Sequence, residues 1–282
     1  VPNYIKPRPT IAPYSKAIHP MWKNAKLELE VAPYSIFVAT PVHSDVSIHY
    51  TQSLLEFQKA CLRKKVKVQF QLIKSSLVTQ GRNLCVGAFL ESKMSHLLFI
   101  DSDIDFHDSS IFKMIDADKD IISIPYPLKT MMWEKGFEKF QRGEIKNAKD
   151  LSLGLNSYPM KVKDNGDIKV DNGIIEVTHS PTGCMLIKRE VFTKLIKAYP
   201  DKGIVQKTII NGKLEDRPHM WNFFCIVYMI QKVRLILGED FAFCKLWKDI
   251  GGQCYAYILD PITHVGEHSY TGRFADELIV NK

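Results

Sequence analysis

The chain carries six cysteines, at positions 61, 85, 184, 225, 244 and 254, yet no CxxC pair, so zinc-finger and thioredoxin-type motifs find no support. Cys61, Cys85 and Cys225 sit in apolar or amphipathic stretches, where a reduced, buried thiol is the ordinary state. At 282 residues the chain buries enough core to fold without disulfides. Free thiols favour a reducing compartment, so a cytoplasmic location is expected. Also missing are a Walker A loop, a GxSxG elbow and an HExxH helix, which removes P-loop, α/β-hydrolase and zincin chemistry. No apolar run approaches the roughly 20 residues of a membrane-spanning helix. The opening Val1-Pro2-Asn3-Tyr4 lacks the basic-then-apolar pattern of a signal peptide. It also lacks an initiator Met, which leaves room for a removed N-terminal anchor. No internal repeat or low-complexity tract is visible.

Charge is the next discriminator. The formal net charge is +7, but the lysines are scattered. The densest run, Arg63-Lys64-Lys65-Val66-Lys67, reads as a solvated helix end. Without a basic stripe interleaved with aromatics, nucleic acid is not an expected partner. A mild positive field suits an anionic small molecule such as a nucleotide diphosphate, or peripheral association with an anionic membrane face.

What is present is an alternating α/β pattern. Residues 1–34 hold six prolines and no sustained period, and read as an extended arm. The fold proper opens at Ser35–Thr40, a short apolar run closed by Pro41, as a buried strand. Leu54, Leu55, Phe57, Ala60 and Cys61 recur at helical spacing within residues 49–64. Val66–Ile73 alternates as a strand does, and a second helix is expected near Val78–Ser92. His96–Ile100 is nearly pure apolar, the composition of a central parallel strand. A helix at Ser110–Ala117 and a strand at Asp120–Ile124 complete a doubly wound half. Ligands of such sheets sit beyond the C-terminal strand ends. Tyr126–Val170 is polar and lysine-rich and reads as a mobile insertion plus a hairpin, Met160–Val162 against Ile168–Val170. Further strands are expected at Ile174–Thr178, Gly183–Ile187 and Gln253–Ile258, with helices at Arg189–Ala198 and Glu239–Ile250. Residues 200–237 read as irregular, and the tail from His264 as loop. One domain over residues 35–282 is expected, with a nucleotide-binding half at 35–125 and an acceptor-binding half at 126–282.

The chemistry concentrates at Ile100-Asp101-Ser102-Asp103-Ile104-Asp105. Acids two apart share a strand face, and at a strand end they can converge on one cation. Clustered carboxylates repel unless neutralised, and Mg²⁺ or Mn²⁺ does this while screening bound phosphates. The bland alternative is an acidic loop that caps the next helix through Asp108, Ser109 or Ser110. Glu239-Asp240 is a second feature. Acids at a helix start are favourable with the macrodipole, and an acid there is also a candidate general base. The aromatics Trp221, Phe223, Phe224 and Tyr228 cluster, and core packing is their default role over sugar stacking.

In order and spacing, these segments resemble the GT-A glycosyltransferases with a DxD motif, especially the family 2-like enzymes of viruses, phages and bacteria. Ala39-Thr40-Pro41, Gln80-Gly81-Arg82-Asn83, Leu98–Asp103 and Gly238–Cys244 carry the match. Thr182–Arg189 and Asp260–Gly266 support it, so that roughly residues 35–272 are covered. The resemblance implies an α/β GT-A fold, a Rossmann-like half with a mixed central sheet. It implies a metal-dependent transferase that moves a sugar from a nucleotide-sugar, UDP by default, to a carbohydrate or glycoconjugate hydroxyl. Thr40, Pro41, Arg82, Asp101 and Ser102 would meet the donor. Asp101, Asp103 and His264, with His268 nearby, would hold Mn²⁺ or Mg²⁺. Asp240 would be the base of an inverting displacement, with Glu239 orienting base or acceptor; some relatives retain configuration and need no such base. Apart from the resemblance, the Tyr126–Gly154 stretch, with Trp133 and several lysines, could be a lid over the donor or equally a plain surface insertion.

Two rival functions remain open. A nucleotidyltransferase shares the half-fold and the acids, but it carries a Gly-rich basic loop after the first strand, where this chain has Thr40-Pro41-Val42-His43-Ser44. A non-catalytic nucleotide- or sugar-binding protein would not need both the DxD and the Glu-Asp pair.

Overall fold

A computed structural model of the chain describes residues 31–162, 168–210, 213–230 and 233–267. Nearly all of the expected arm and the tail beyond residue 267, His268 included, lie outside these residues. The described residues from Ala32 onward belong to one compact unit.

The first half follows the alternation read from the sequence. Strand β1 (Ser35–Val42) leads to α1 (Ile48–Arg63), β2 (Lys67–Lys74), α2 (Val78–Glu91), β3 (His96–Ile100), the two-residue β4 (Ile104–Asp105), α3 (Asp108–Asp116) and β5 (Ile121–Ser123). Helix α1 starts where Ser47 caps it, its hydroxyl accepting the Tyr50 N–H at 3.0 Å. It ends in the basic run Arg63–Lys65, which is solvent-exposed as expected. Helices α4 (Trp133–Gln141) and α5 (Ala148–Gly154) follow, then β6 (Lys161–Val162), β7 (Ile174–His179), β8 (Cys184–Lys188) and α6 (Arg189–Ala198). The chain closes with β9 (Lys207–Ile210), β10 (Lys213–Asp216), β11 (Val227–Ile230), β12 (Val233–Ile236), α7 (Glu239–Asp249), β13 (Cys254–Tyr257) and β14 (Thr263–His264).

Eight strands form one mixed sheet in the order β2-β1-β3-β8-β5-β13-β7-β6. The fold is therefore mixed α/β around a large central sheet. β3 is parallel to β1 but antiparallel to β8, so it is central without being flanked by parallel neighbours on both sides. Strands β8 and β13, from beyond residue 126, pair directly with β3 and β5, which interleaves the two halves. Side chains alternate across this sheet. Phe37, Ala39, Leu97 and Phe99 face a core closed by α2, α6 and α7. Ile36, Val38, Leu98 and Ile100 face a second core, with Phe57 of α1 and Phe112 of α3. Both faces are covered, which explains why β1 and β3 read as apolar runs rather than alternating ones.

Three expectations are corrected. Met160–Val162 does not pair with Ile168–Val170; β6 lies antiparallel to β7 instead, where it extends the large sheet. Within residues 200–237, two hairpins, β9–β10 and β11–β12, replace the irregular segment. His264 is not in a free loop: β14 pairs with β4, bringing Ile104 opposite His264. Phe223 and Phe224 are fully buried, and Trp221 stacks on Phe223 at 5.7 Å, so packing is their role. None of the six cysteines forms a disulfide; five of them are buried, and Cys225 is half-buried. Among the described residues no helix is long and apolar enough to cross a membrane.

Candidate active site

The Asp101–Asp105 segment leaves the C-terminal end of β3 in a tight turn, the Ile104 N–H donating to the Asp101 carbonyl at 3.1 Å. Neighbouring elements lock it. The Ser47 N–H at the head of α1 donates to the Ser102 carbonyl at 2.8 Å, and the Val265 N–H after β14 donates to the Asp103 carbonyl at 2.8 Å. The three acids are then drawn apart rather than gathered. Asp105 accepts the Ser53 hydroxyl at 2.7 Å and so ties the turn to α1. Both oxygens of Asp101 are taken by Arg82, Nη1 to Oδ1 at 2.9 Å and Nη2 to Oδ2 at 3.0 Å. Asp103 is left to other partners and is the more exposed of the two acids that line the cavity past the ends of β1 and β2.

Arg82 is buried at the junction of three elements. Its side chain is 3% exposed, and its Nε donates to Glu239 Oε1 at 3.1 Å. One guanidinium thus spans the start of α2, the end of β3 and the start of α7. Burial works against its charge, but Asp101 and Glu239 outweigh that and raise its pKa. The carbonyl of Gly183 accepts the Asp101 N–H at 2.9 Å. A Cβ on Gly183 would lie 2.9 Å from the Asp101 carboxylate and collide with the Tyr126 ring, so the close approach requires glycine. Next to Gln80-Gly81-Arg82, Asn83 plays a structural part: it bonds the backbone of Phe224 in both directions, at 3.0 and 3.1 Å.

Asp103 Oδ2 meets two groups: the Lys129 ammonium at 2.6 Å and His264 Nε2 at 3.4 Å. His264 Nδ1 lies 3.0 Å from the Pro127 carbonyl, so it is the protonated nitrogen that donates there. Nε2 faces Asp103, donating to it when that nitrogen carries a proton and free to bind a metal when it does not, and the Nδ1 contact fixes the tautomer that metal binding requires. Burial opposes the Asp103 charge, yet His264 and Lys129 hold its pKa down to about 2. The carboxylate suits Mn²⁺ or Mg²⁺, and the imidazole favours Mn²⁺, the softer of the two; ions of this kind take one or two protein ligands when substrate phosphates complete the shell. Among the described residues no group of three candidate ligands converges, because Asp101 is committed to Arg82. The residues fit an ion held by two protein ligands.

Two cavities meet at this point. One, of about 490 Å³, lies past the ends of β1 and β2 and is lined by Pro41, Ser75, Leu77, Asp101, Ser102 and Asp103. The other, of about 740 Å³, is lined by Lys129, Trp133, Asn156, His264 and Glu267 among others. The contacts of Asp103 with Lys129 and His264 therefore form the wall between them. Thr40 reaches neither; it is buried, and its hydroxyl pairs with that of Tyr50 at 2.6 Å.

Asp240 begins α7 beside Glu239, with Oδ1 accepting the Phe241 N–H at 2.7 Å. Burial, and then repulsion from Glu239, raise its pKa to about 6. Asp240 is not among the residues lining either cavity, and the neighbouring Arg82 draws its pKa back down in part. The Tyr126 ring packs edge-on against His264 at 4.8 Å. The sequence reading held Tyr126 and Lys129 only as part of a lid or surface insertion and did not single them out as site residues. The signal that would have found them is their place in the loop after β5, at the ligand-bearing edge of the sheet.

Neither a family model nor a curated protein sequence matches the chain. Among solved structures it is similar to the protein A197 from STIV, with a TM-score of 0.41 at 15% identity over 85% of this chain and 98% of that one. It is also similar to a glycosyltransferase involved in glycosylation of the major capsid of PBCV-1, with a TM-score of 0.31 at 10% identity over 60% of this chain and 68% of that one. At these scores neither likeness assigns a function to the chain.

Proposed function

We propose that the chain is a glycosyltransferase that moves a sugar from a nucleotide-sugar donor to a hydroxyl acceptor with inversion. The observation that carries this reading is the Asp103–His264 pair, fixed in tautomer and standing in the wall between two cavities. The smaller cavity, beyond the parallel strand ends, has the size of a small-molecule site and would take the donor. The larger would take the acceptor, with the exposed indole of Trp133 offering a flat apolar face to a sugar ring and Asn156 and Glu267 meeting its hydroxyls. Asp103 and His264 would hold Mn²⁺ or Mg²⁺, which when bound screens the diphosphate's charge as it leaves.

Asp240 would accept the proton of the acceptor hydroxyl. As that oxygen bonds to the anomeric carbon, the bond to the diphosphate oxygen breaks and its electron pair leaves with the nucleoside diphosphate. A carboxylate held near 6 is ionised at neutral pH and still basic enough to take the proton, which suits a general base. Arg82 keeps Asp101 and Glu239 paired and in place, and Asp240 stands beside them without an ion pair to Arg82.

Assay of the purified chain with a panel of nucleotide-sugars and Mn²⁺ tests the reading. Metal-dependent release of nucleoside diphosphate is the expected result. Release of pyrophosphate would point to nucleotidyl transfer, and tight donor binding without either product to a binding protein.

A further inference from the structure

Lys129 is delivered to Asp103 with unusual care for a surface lysine. After β5 the chain passes through Pro125 and Pro127, each of which fixes its own φ. The backbone is then pinned on both sides of Lys129: the Leu128 N–H donates to the Ser157 carbonyl at 2.8 Å, and the Met132 N–H to the Leu155 carbonyl at 3.0 Å. The side-chain stem lies along Gly266, where a Cβ would come 2.6 Å from the Lys129 Cδ. This slot brings the ammonium to the same carboxylate oxygen that His264 Nε2 faces. The pair is open to water, with Lys129 39% and Asp103 34% exposed, so it adds little to stability, and its construction calls for another reason.

An ammonium and a divalent ion cannot share one carboxylate oxygen without strong repulsion. A diphosphate arriving beside Asp103 would offer the displaced ammonium a new anionic partner within the reach of a four-carbon stem. We infer that Lys129 is a place-holding cation: in the free protein it neutralises Asp103 where the divalent ion binds, and with donor present it pairs with the diphosphate. This inference rests on the ion-binding role of Asp103 and His264 proposed above, and it adds that metal and Lys129 exclude one another until a diphosphate arrives.

The test is a Mn²⁺ titration of the full chain followed by electron paramagnetic resonance, without nucleotide and then with inorganic pyrophosphate, for wild type, Lys129→Met and Lys129→Arg. Without pyrophosphate, Lys129→Met should bind Mn²⁺ roughly ten-fold tighter than wild type, the scale of one relieved charge contact. With Mn²⁺ present, the same variant should bind pyrophosphate roughly ten-fold more weakly, and Lys129→Arg should stay near wild type. Opposite shifts for the two ligands are the signature, since a merely structural lysine would move both the same way or neither. Equal Mn²⁺ affinity in wild type and Lys129→Met overturns the inference while leaving Asp103 and His264 as ion ligands. Tighter Mn²⁺ with unchanged pyrophosphate binding overturns the diphosphate role. No Mn²⁺ binding by any protein, with or without pyrophosphate, overturns both the inference and the proposed metal site. Thermal unfolding of each variant confirms that the fold is intact.

Discussion

Arg82–Asp101 and Lys129–Asp103 are cation–carboxylate pairs whose acids stand two residues apart, and the fold treats them in opposite ways. The first is sealed, with Arg82 3% exposed and bonded to two acids from two further elements. The second is half open, made by a flexible stem to an acid that also faces an imidazole. A sealed guanidinium cannot let go without leaving two carboxylates unpaired, so it is scaffold. An exposed ammonium can be exchanged, so it is suited to a site that changes occupants.

The sharpest way to break this contrast is to remove each cation and measure stability by denaturant unfolding. Arg82→Met should cost about 3–5 kcal/mol, the scale of breaking one partner out of a buried pair. Lys129→Met should cost no more than about 1 kcal/mol. Equal costs would erase the distinction between scaffold and exchangeable pair.

Next in size is Asp240, which leans on the sealed pair through Glu239. Asp240→Asn should retain donor binding in a thermal-shift assay, while transfer falls by about 10²–10⁴-fold, the range of a lost general base. Near-normal transfer would remove Asp240 from the chemistry. The same group makes a stability prediction. Its folded pKa of about 6 lies above the usual unfolded value, so between those limits the folded state binds more protons. Wild-type stability should therefore fall as pH rises from about 4 to about 6, by on the order of 1–3 kcal/mol. Asp240→Asn should lack that slope; an identical slope in the variant would assign it to other groups.

On the open side, Asp103→Asn and His264→Gln should each lose the Mn²⁺-dependent part of the thermal shift given by a bound nucleotide-sugar. Their metal-free unfolding should change little, since both groups are partly exposed. The smallest effect is expected at Trp133. Trp133→Ala should leave donor binding and stability near wild type and raise the acceptor KM, because an indole at a cavity wall contributes stacking and little core. A change in donor affinity instead would exchange the roles of the two cavities.

Much of the fold was legible because it is written at short range. Strands β1 and β3 are apolar on both faces, and helices α1, α6 and α7 show periodic apolar positions with polar flanks. The position of the acids at the end of β3 followed from the same pattern. What went unread were contacts with no local period. Strands β4 and β14 are two residues each, too short to alternate visibly, yet their pairing is what carries His264 to Asp103. The hairpins within residues 200–237 and the placement of β6 against β7 likewise depend on partners, not on their own composition.

The sequence by itself therefore determined the alternation of strands and helices, the apolar strand that ends in three acids, and the two acids at a helix start. Propensity and hydrophobic period act over a few neighbouring residues, and those features live there. Only the tertiary structure decided which acid stays exchangeable, since Asp101 is claimed by the buried Arg82 and Asp105 by Ser53 while Asp103 meets the exposed ammonium of Lys129. It also decided that His264 and Lys129 meet on that acid, because contacts between residues far apart in the chain arise only when the sheet edge brings their loops together.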